Sequence, residues 1–426
     1  MKKIYSLVLV LLPLLIYYDF PFTSIGISTS LSIFLLIIAL IQNFKAKKHL
    51  DIELLVVFAY ALISSFILIA LGGRITFISL IYVLANILTA AFISGGIKSL
   101  IDIKFLLSSY KKICLIIISF FFLQHLICLL TGRVLFGICP FLPVSDSYTG
   151  INVGLLDTPR NYGYSMRLLS SLFSEPSHLA VYLLPMFVLA LEEKDKPRII
   201  VLIIVSTVII MTLSGNGILT LAIFIVAYTA LCKKIKVRKR VLYLLSMSIV
   251  FVFAFLLLNR LPIFSDLFAN LFSNSFNKVA KADYRIYRGF YIFGTLPTEN
   301  KIFGIGFQQI TPYLTENNIS TPFDFTGVTN LEYSNFIAQY MIYFGFIGLL
   351  PLLIFVVKLF KNGTYYSNAF LISIIALWFS SSMLFDVMWI YFIGFVFIFN
   401  YMKEGKQYAF ERTKAFNYRR NEVYST

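Results

Sequence analysis

Long apolar runs alternate with short polar joints along almost the whole chain, and only one long stretch, Leu261 to Asn335, breaks that rhythm. A helix needs roughly 20 largely apolar residues to cross a bilayer core. On that measure twelve spans are expected, over 4–18, 27–43, 52–71, 76–96, 113–131, 172–191, 198–213, 217–232, 241–259, 335–357, 366–382 and 385–402. Only Ser214-Gly-Asn-Gly217 separates the seventh from the eighth. The pattern predicts an all-α polytopic membrane protein forming one integral domain over 1–426, with no internal repeat or low-complexity tract.

Composition agrees. Of 426 residues, 59% are hydrophobic and 13% charged, with a mean hydropathy of +0.85, which excludes a water-soluble globule. The net charge of +16 does not indicate nucleic acid, because most lysines sit in short clusters between apolar runs, where they set topology. Lys2-Lys3, Lys45-Ala-Lys47-Lys48, Lys111-Lys112, Lys194 to Arg198, Lys233 to Arg240, Lys358 with Lys361, and the basic tail 403–426 fall at every second joint. Both termini are therefore expected in the cytoplasm. Met1-Lys2-Lys3 and the following apolar run resemble a signal peptide, but no small-residue cleavage site follows, so a retained first helix is expected. The four cysteines form neither a disulfide framework nor a CxxC pattern.

The opposite face carries a medium joint, 132–171, and a large loop, 261–334. Its cations are mostly arginines: Arg74, Arg133, Arg160, Arg167, Arg260, Arg285 and Arg288, beside Lys278, Lys281 and Lys301. Guanidinium is planar, always charged and able to grip two oxygens, so this preference suits phosphate or diphosphate. Lipid headgroups at the interface would attract the same residues. In the large loop Lys278, Lys281, Arg285 and Arg288 would share one helical face, with Tyr284, Tyr287 and Tyr291 on a neighbouring one. Such a helix could hold a polyprenyl diphosphate and stack on sugars, or simply anchor to acidic lipid.

The medium joint ends in Ser174-Glu175-Pro176-Ser177-His178, which opens the sixth span. Proline suits a first helical turn, and an acid suits its positive end. Ionisable groups at a membrane helix mouth are nonetheless costly and usually functional, which favours a working role for Glu175 and His178. Asn216, in the tight Gly215–Gly217 turn, and Asn335 are further polar residues expected on this face. The three histidines are scattered and the external residues hold no Asp-x-Asp, so no metal or other cofactor is expected.

After the large loop come Ser334-Asn335, nine residues, Gly345, two residues and Gly348. This resembles the His-(Asn/Ser/Gln)-x9-Gly-x-x-Gly pattern of bacterial O-antigen ligases, with Ser334 in place of the histidine. Arg167-x7-Glu175-Pro-Ser, Arg285-x-x-Arg288 and Asn300-x-x-Phe303-Gly-Ile-Gly306 are similar to the Wzy-type O-antigen and capsule repeat-unit polymerases of the same superfamily. The resemblance covers about 160 to 350. It implies a GT-C-like fold in the bacterial cytoplasmic membrane and metal-independent glycosyl transfer on the outer face. The substrates would be undecaprenyl-diphosphate-linked oligosaccharides, among membrane lipids and with a chain-length regulator as a candidate partner.

For that chemistry Arg167, Arg285 and Arg288 are assigned to the diphosphate, with Lys281, Arg160, Tyr284, Asn216 and Asn335 as further substrate contacts. The base is sought among Glu175, Glu332, Asp283 and His178, in that order. Two other classes compete. A flippase would need charges along a path between the faces, yet charges are nearly absent from the expected spans. A SEDS-type glycosyltransferase ranks below the polymerase because of the ligase-like glycine spacing.

Overall fold

The computed structural model describes residues 1–21, 25–46, 50–70, 75–135, 137, 139, 142–144, 156–157, 169–173, 175–192, 197–212, 214–232, 287–319 and 334–402. Among the described residues the regular structure is helical, apart from a two-residue ladder and two isolated β-bridges. The helices are α1 (Lys2–Leu11), α2 (Ile27–Ala46), α3 (Ile52–Ala70), α4 (Phe77–Leu100), α5 (Ile103–Thr131), α6 (Pro176–Glu192), α7 (Pro197–Met211) and α8 (Gly215–Leu231). There follow α9 (287–295), α10 (Thr298–Phe303), α11 (Ile310–Glu316), α12 (Phe336–Asn362), α13 (Tyr365–Ser380) and α14 (Val387–Met402). Between α5 and α6, β1 (Val134–Leu135) pairs antiparallel with β2 (Leu156–Asp157). Each expected span overlaps a described helix except 241–259, which lies outside the described residues, and the helix within 4–18 stops at Leu11.

α3, α4, α5 and α12 are each long and apolar enough to cross a membrane. The chain is an all-α, multi-pass membrane protein. The first helix is shorter than hydropathy alone predicts. It ends at Leu11, and Pro13 turns the chain into a single 3-10 turn, because proline cannot continue the ladder.

One end of the bundle gathers described lysines. Lys2 Nζ donates to Lys98 O at 2.7 Å, Lys98 lies over the Tyr401 ring, and Lys3 over Phe105. Also at this end, Lys358 near the close of α12 binds Asp51 Oδ2 at 3.0 Å and Glu53 Oε2 at 2.6 Å, tying α12 to the start of α3.

The bundle's middle is held by tyrosines around a proline. Pro185, inside α6, has no N–H and so opens the ladder of that helix. The exposed groups are taken up by side chains: Tyr110 and Tyr391 both donate to Tyr182 O, at 2.7 and 2.8 Å, and Met186 N–H donates to Tyr110 Oη at 3.1 Å. The Tyr182 and Tyr391 rings stack at 5.2 Å. Since both α6 and α14 begin at the end opposite the lysines, this stack fixes their relative height.

Candidate functional site

The large loop reaches the bundle through α9 and α10. Gly289 of α9 packs so closely on the entry of α12 that a Cβ there would lie 2.6 Å from Ala338 Cβ and 2.9 Å from Ser334 Cβ. Only hydrogen fits. The neighbouring Arg288 is 1% exposed, while Tyr287 and Tyr291 turn outward at 54% and 41%. The arginine and the tyrosines thus separate, one into protein and the others out of it. A guanidinium is this deeply buried only where charge or hydrogen bonding compensates its lost hydration.

Asn335 caps α12: its Oδ1 accepts the Ala338 N–H at 2.8 Å, and the residue is fully buried. The side-chain carbonyl oxygen thus serves the helix start. Ser334 is 1% exposed, and its Oγ has no hydrogen-bond partner among the described residues.

The two glycine motifs form one lock. α12 breaks at Gly345, whose φ of 63° and ψ of −170° suit glycine alone. The break releases the carbonyls of Ile342 and Tyr343, which accept the N–H groups of Ile305 and Gly306 at 2.9 and 3.0 Å. Gly304, at φ 83°, lies so close that a Cβ would meet Tyr343 O at 2.2 Å. The Asn300–Gly306 turn is thus stitched into the broken helix, and Tyr60 of α3 closes the joint by donating to Phe303 O at 2.9 Å.

The connection 381–386 also reaches the α12 entry. Phe336 N–H donates to Ser381 O at 2.9 Å, and the Phe385 ring lies 5.7 Å from that of Phe336. Asn86 of α4 donates to Phe385 O at 2.6 Å, holding a non-glycine residue at φ 49°. Next to it Asp386 caps α14, accepting the Trp389 N–H at 2.9 Å. Asp386 is half-buried, and desolvation pushes its carboxyl up to about 7 although backbone N–H groups of Trp389 and Met388 pull it down. Hydropathy alone places Asp386 inside the expected span 385–402. Its signal was a lone carboxylate one residue before an apolar helix.

A second group stands at the mouth of α6. Gln124 of α5 clamps the chain on the way in, donating to Leu135 O at 2.7 Å and accepting Ser171 N–H at 2.8 Å. Glu175 then starts the helix, its carbonyl accepting the His178 N–H at 3.1 Å, and Ser177 Oγ donates to its carboxylate at 3.1 Å. His178 Nδ1 is hydrogen-bonded to Tyr17 Oη from the segment after Pro13, which leaves Nε2 as the ring's other polar atom. α8 closes in from the side: a Cβ on Gly217 would meet Ala180 Cβ at 2.3 Å, so half-buried Asn216 opens that helix near the α6 mouth.

These two groups lie at one height. His178 precedes Tyr182 by four residues and Asp386 precedes Tyr391 by five, so at 1.5 Å per residue they stand about 6 and about 7.5 Å above the stacked pair. The structure therefore brings Glu175, His178, Asn216, Arg288, Asn335 and Asp386 to one end of the bundle. Glu332, Asp283, Arg167, Arg285, Lys281, Arg160 and Tyr284 lie outside the described residues. Among the described residues no three His, Cys, Asp or Glu side chains converge as a metal-binding group.

Residues 200–353 match the family described as O-Antigen ligase. The match covers 154 of the 426 residues and supports membership of the O-antigen polymerase/ligase superfamily. No curated protein matches it. The matched stretch contains Arg288, Ser334, Asn335 and the Gly304–Gly345 lock, while Glu175, His178 and Asp386 fall outside it. The family supports an enzyme of O-antigen polymerase or ligase type acting on lipid-linked polysaccharide.

Proposed function

We propose that this protein polymerises undecaprenyl-diphosphate-linked oligosaccharide repeat units on the outer face of the bacterial cytoplasmic membrane. The observation that carries this reading is the buried Arg288, next in sequence to Gly289, which packs on the α12 entry where Ser334 stands in place of the ligase-pattern histidine. A hydroxyl of the incoming unit attacks the anomeric carbon of the growing chain, and the carbon–oxygen bond to the diphosphate breaks. The leaving diphosphate takes the electron pair, and a fixed guanidinium stabilises that charge as it develops. Arg285, Arg167, Arg160 and Lys281 are the further cations assigned to it. The hydroxyl proton passes to a carboxylate: Glu175 is ranked first, with Asp386 now beside it and Glu332 and Asp283 following, while His178 is the imidazole alternative.

The ligase reading keeps one argument, the family description itself. Deletion of the gene followed by gel analysis of surface polysaccharide separates the two. Loss of the long ladder, with single units still exported, supports polymerisation; long polymer made but never attached identifies a ligase. Arg288→Lys keeps the charge and loses the fork, so the ladder should weaken by roughly tenfold or more with protein still in the membrane. An undiminished ladder would remove Arg288 from the diphosphate site.

A further inference from the structure

A cavity of about 540 Å³ lies between α3 and the stitched segment 300–316, two to three turns along α12 from Arg288. One wall is apolar. Ile63 and Ile67 of α3 are 57% and 56% exposed there, continuing the outward face that Phe66 extends. The other wall is polar and neutral to acidic: Asn300, Gln309, Tyr313 and Glu316 line it, and none of the described lining residues is cationic. Its frame is fixed on three sides, by Tyr60 to Phe303 O, by the Gly304–Gly345 lock, and by Thr76 N–H donating to Gln308 Oε1 at 2.9 Å.

Two carboxamides, a phenol and a carboxylate offer donors and acceptors together, the set that hydroxyl-rich rings require. An apolar wall of lipid-facing isoleucines suits a ligand that arrives within the membrane. Phosphate would lack a counter-charge here and would also face Glu316. A glycosyl-transfer reaction between two lipid-linked chains needs one site that neutralises the leaving diphosphate and another that holds sugar alone.

We propose that this groove is a neutral glycosyl subsite, which receives the sugar portion of a membrane-borne glycolipid away from the diphosphate-binding arginine. The inference rests on the glycosyl-transfer reading above.

The test places a benzophenone amino acid at Ile67 in the full-length protein, in cells producing the polysaccharide. Leu115, 56% exposed on α5, serves as the control position outside the groove. Irradiation should give a sugar-containing adduct at position 67, detected by periodate staining and mass spectrometry, and none at 115. Replacing Asn300 or Gln309 with Ala should lower the adduct by roughly fivefold each, the worth of one lost hydrogen bond. A Ser64→Trp change, which fills the groove from the half-buried face of α3, should abolish it without touching the polar wall. Phospholipid-only adducts, or equal sugar labelling at both positions, would overturn the proposal. The polymerase reading fails separately: a ladder indifferent to gene deletion would sink it, whereas a deletion-sensitive ladder with no sugar adduct at position 67 overturns the groove alone.

Discussion

Gly345→Ala tests the lock between the large loop and α12. The native φ and ψ of 63° and −170° lie in a region open in practice only to glycine, and leaving it or enduring it costs about 1–3 kcal/mol. The new Cβ would sit 2.3 Å from Ile302 O, 2.5 Å from its carbonyl carbon and 2.6 Å from Gly304 N. These are backbone atoms and cannot swing aside, so the turn must lift off. Lifting breaks the Ile305–Ile342 and Gly306–Tyr343 bonds, worth about 1 kcal/mol each. The sum is about 3–5 kcal/mol, a large share of a usual net stability of about 5–15 kcal/mol. Thermal unfolding of the purified protein in detergent should show a fall in Tm of several degrees, together with loss of the polysaccharide ladder in cells. Gly294→Ala is the control, since nothing lies within 4 Å of its Cβ position. If Gly345→Ala unfolds with wild-type Tm, or no earlier than Gly294→Ala, the stitched joint is not what holds the loop.

Three further changes probe other parts. Asp386→Asn should remove an acid limb from the activity profile: with a carboxyl raised to about 7, the native enzyme loses its proton acceptor as pH falls through that value, whereas the asparagine variant should be low and flat. A native profile with no break between pH 6 and 8, roughly a unit either side, excludes Asp386 as the base. Glu175→Gln should abolish polymer while membrane-folded protein persists, and retained polymer would remove Glu175 from the mechanism. Lys358→Met removes a half-exposed cation from Asp51, which keeps the Ser94 hydroxyl, and should destabilise by about 1 kcal/mol in the same unfolding assay; an unchanged Tm would show the pair to be dispensable.

The helices were legible because an apolar run of bilayer length is the strongest pattern a sequence carries. Where hydropathy alone misleads, a single residue explains it: Pro13 stops α1 at Leu11 despite continuous apolar sequence beyond, and Asp386 was absorbed into a span that the structure begins at Val387. The glycine motifs were legible as spacing but not as a pair. Gly304 and Gly345 meet only in three dimensions, across forty residues of chain, and no local rule predicts which carbonyls a broken helix releases or who receives them. The same holds for Arg288. Periodicity set it on one helical face with Tyr287 and Tyr291 on a neighbouring one, and in the fold the arginine is buried and the tyrosines are exposed, with the adjacent Gly289 packed on Ser334. Side-chain composition marks the cations suited to a diphosphate; the close packing at Gly289 is visible only in the fold.

Ser334 bears on where the proton goes. A histidine at that position would need space and a polar neighbour, yet Ser334 is buried, its Cβ within 2.9 Å of where a Gly289 side chain would begin. The close contact at Gly289 therefore uses the volume an imidazole would occupy. A base for the attacking hydroxyl must then come from another element reaching the same end of the bundle. Asp386 answers geometrically, because its connection is bonded to the α12 entry through Ser381 and packed on it through Phe385. Glu175 answers from across the Tyr182–Tyr391 stack, at the mouth of α6. Replacing Ser334 with His should on this argument displace α9 and impair polymerisation rather than create ligase-like activity. A Ser334→His variant that keeps a full ladder would mean that the α9 contact is slack and that the arginine's position owes nothing to it.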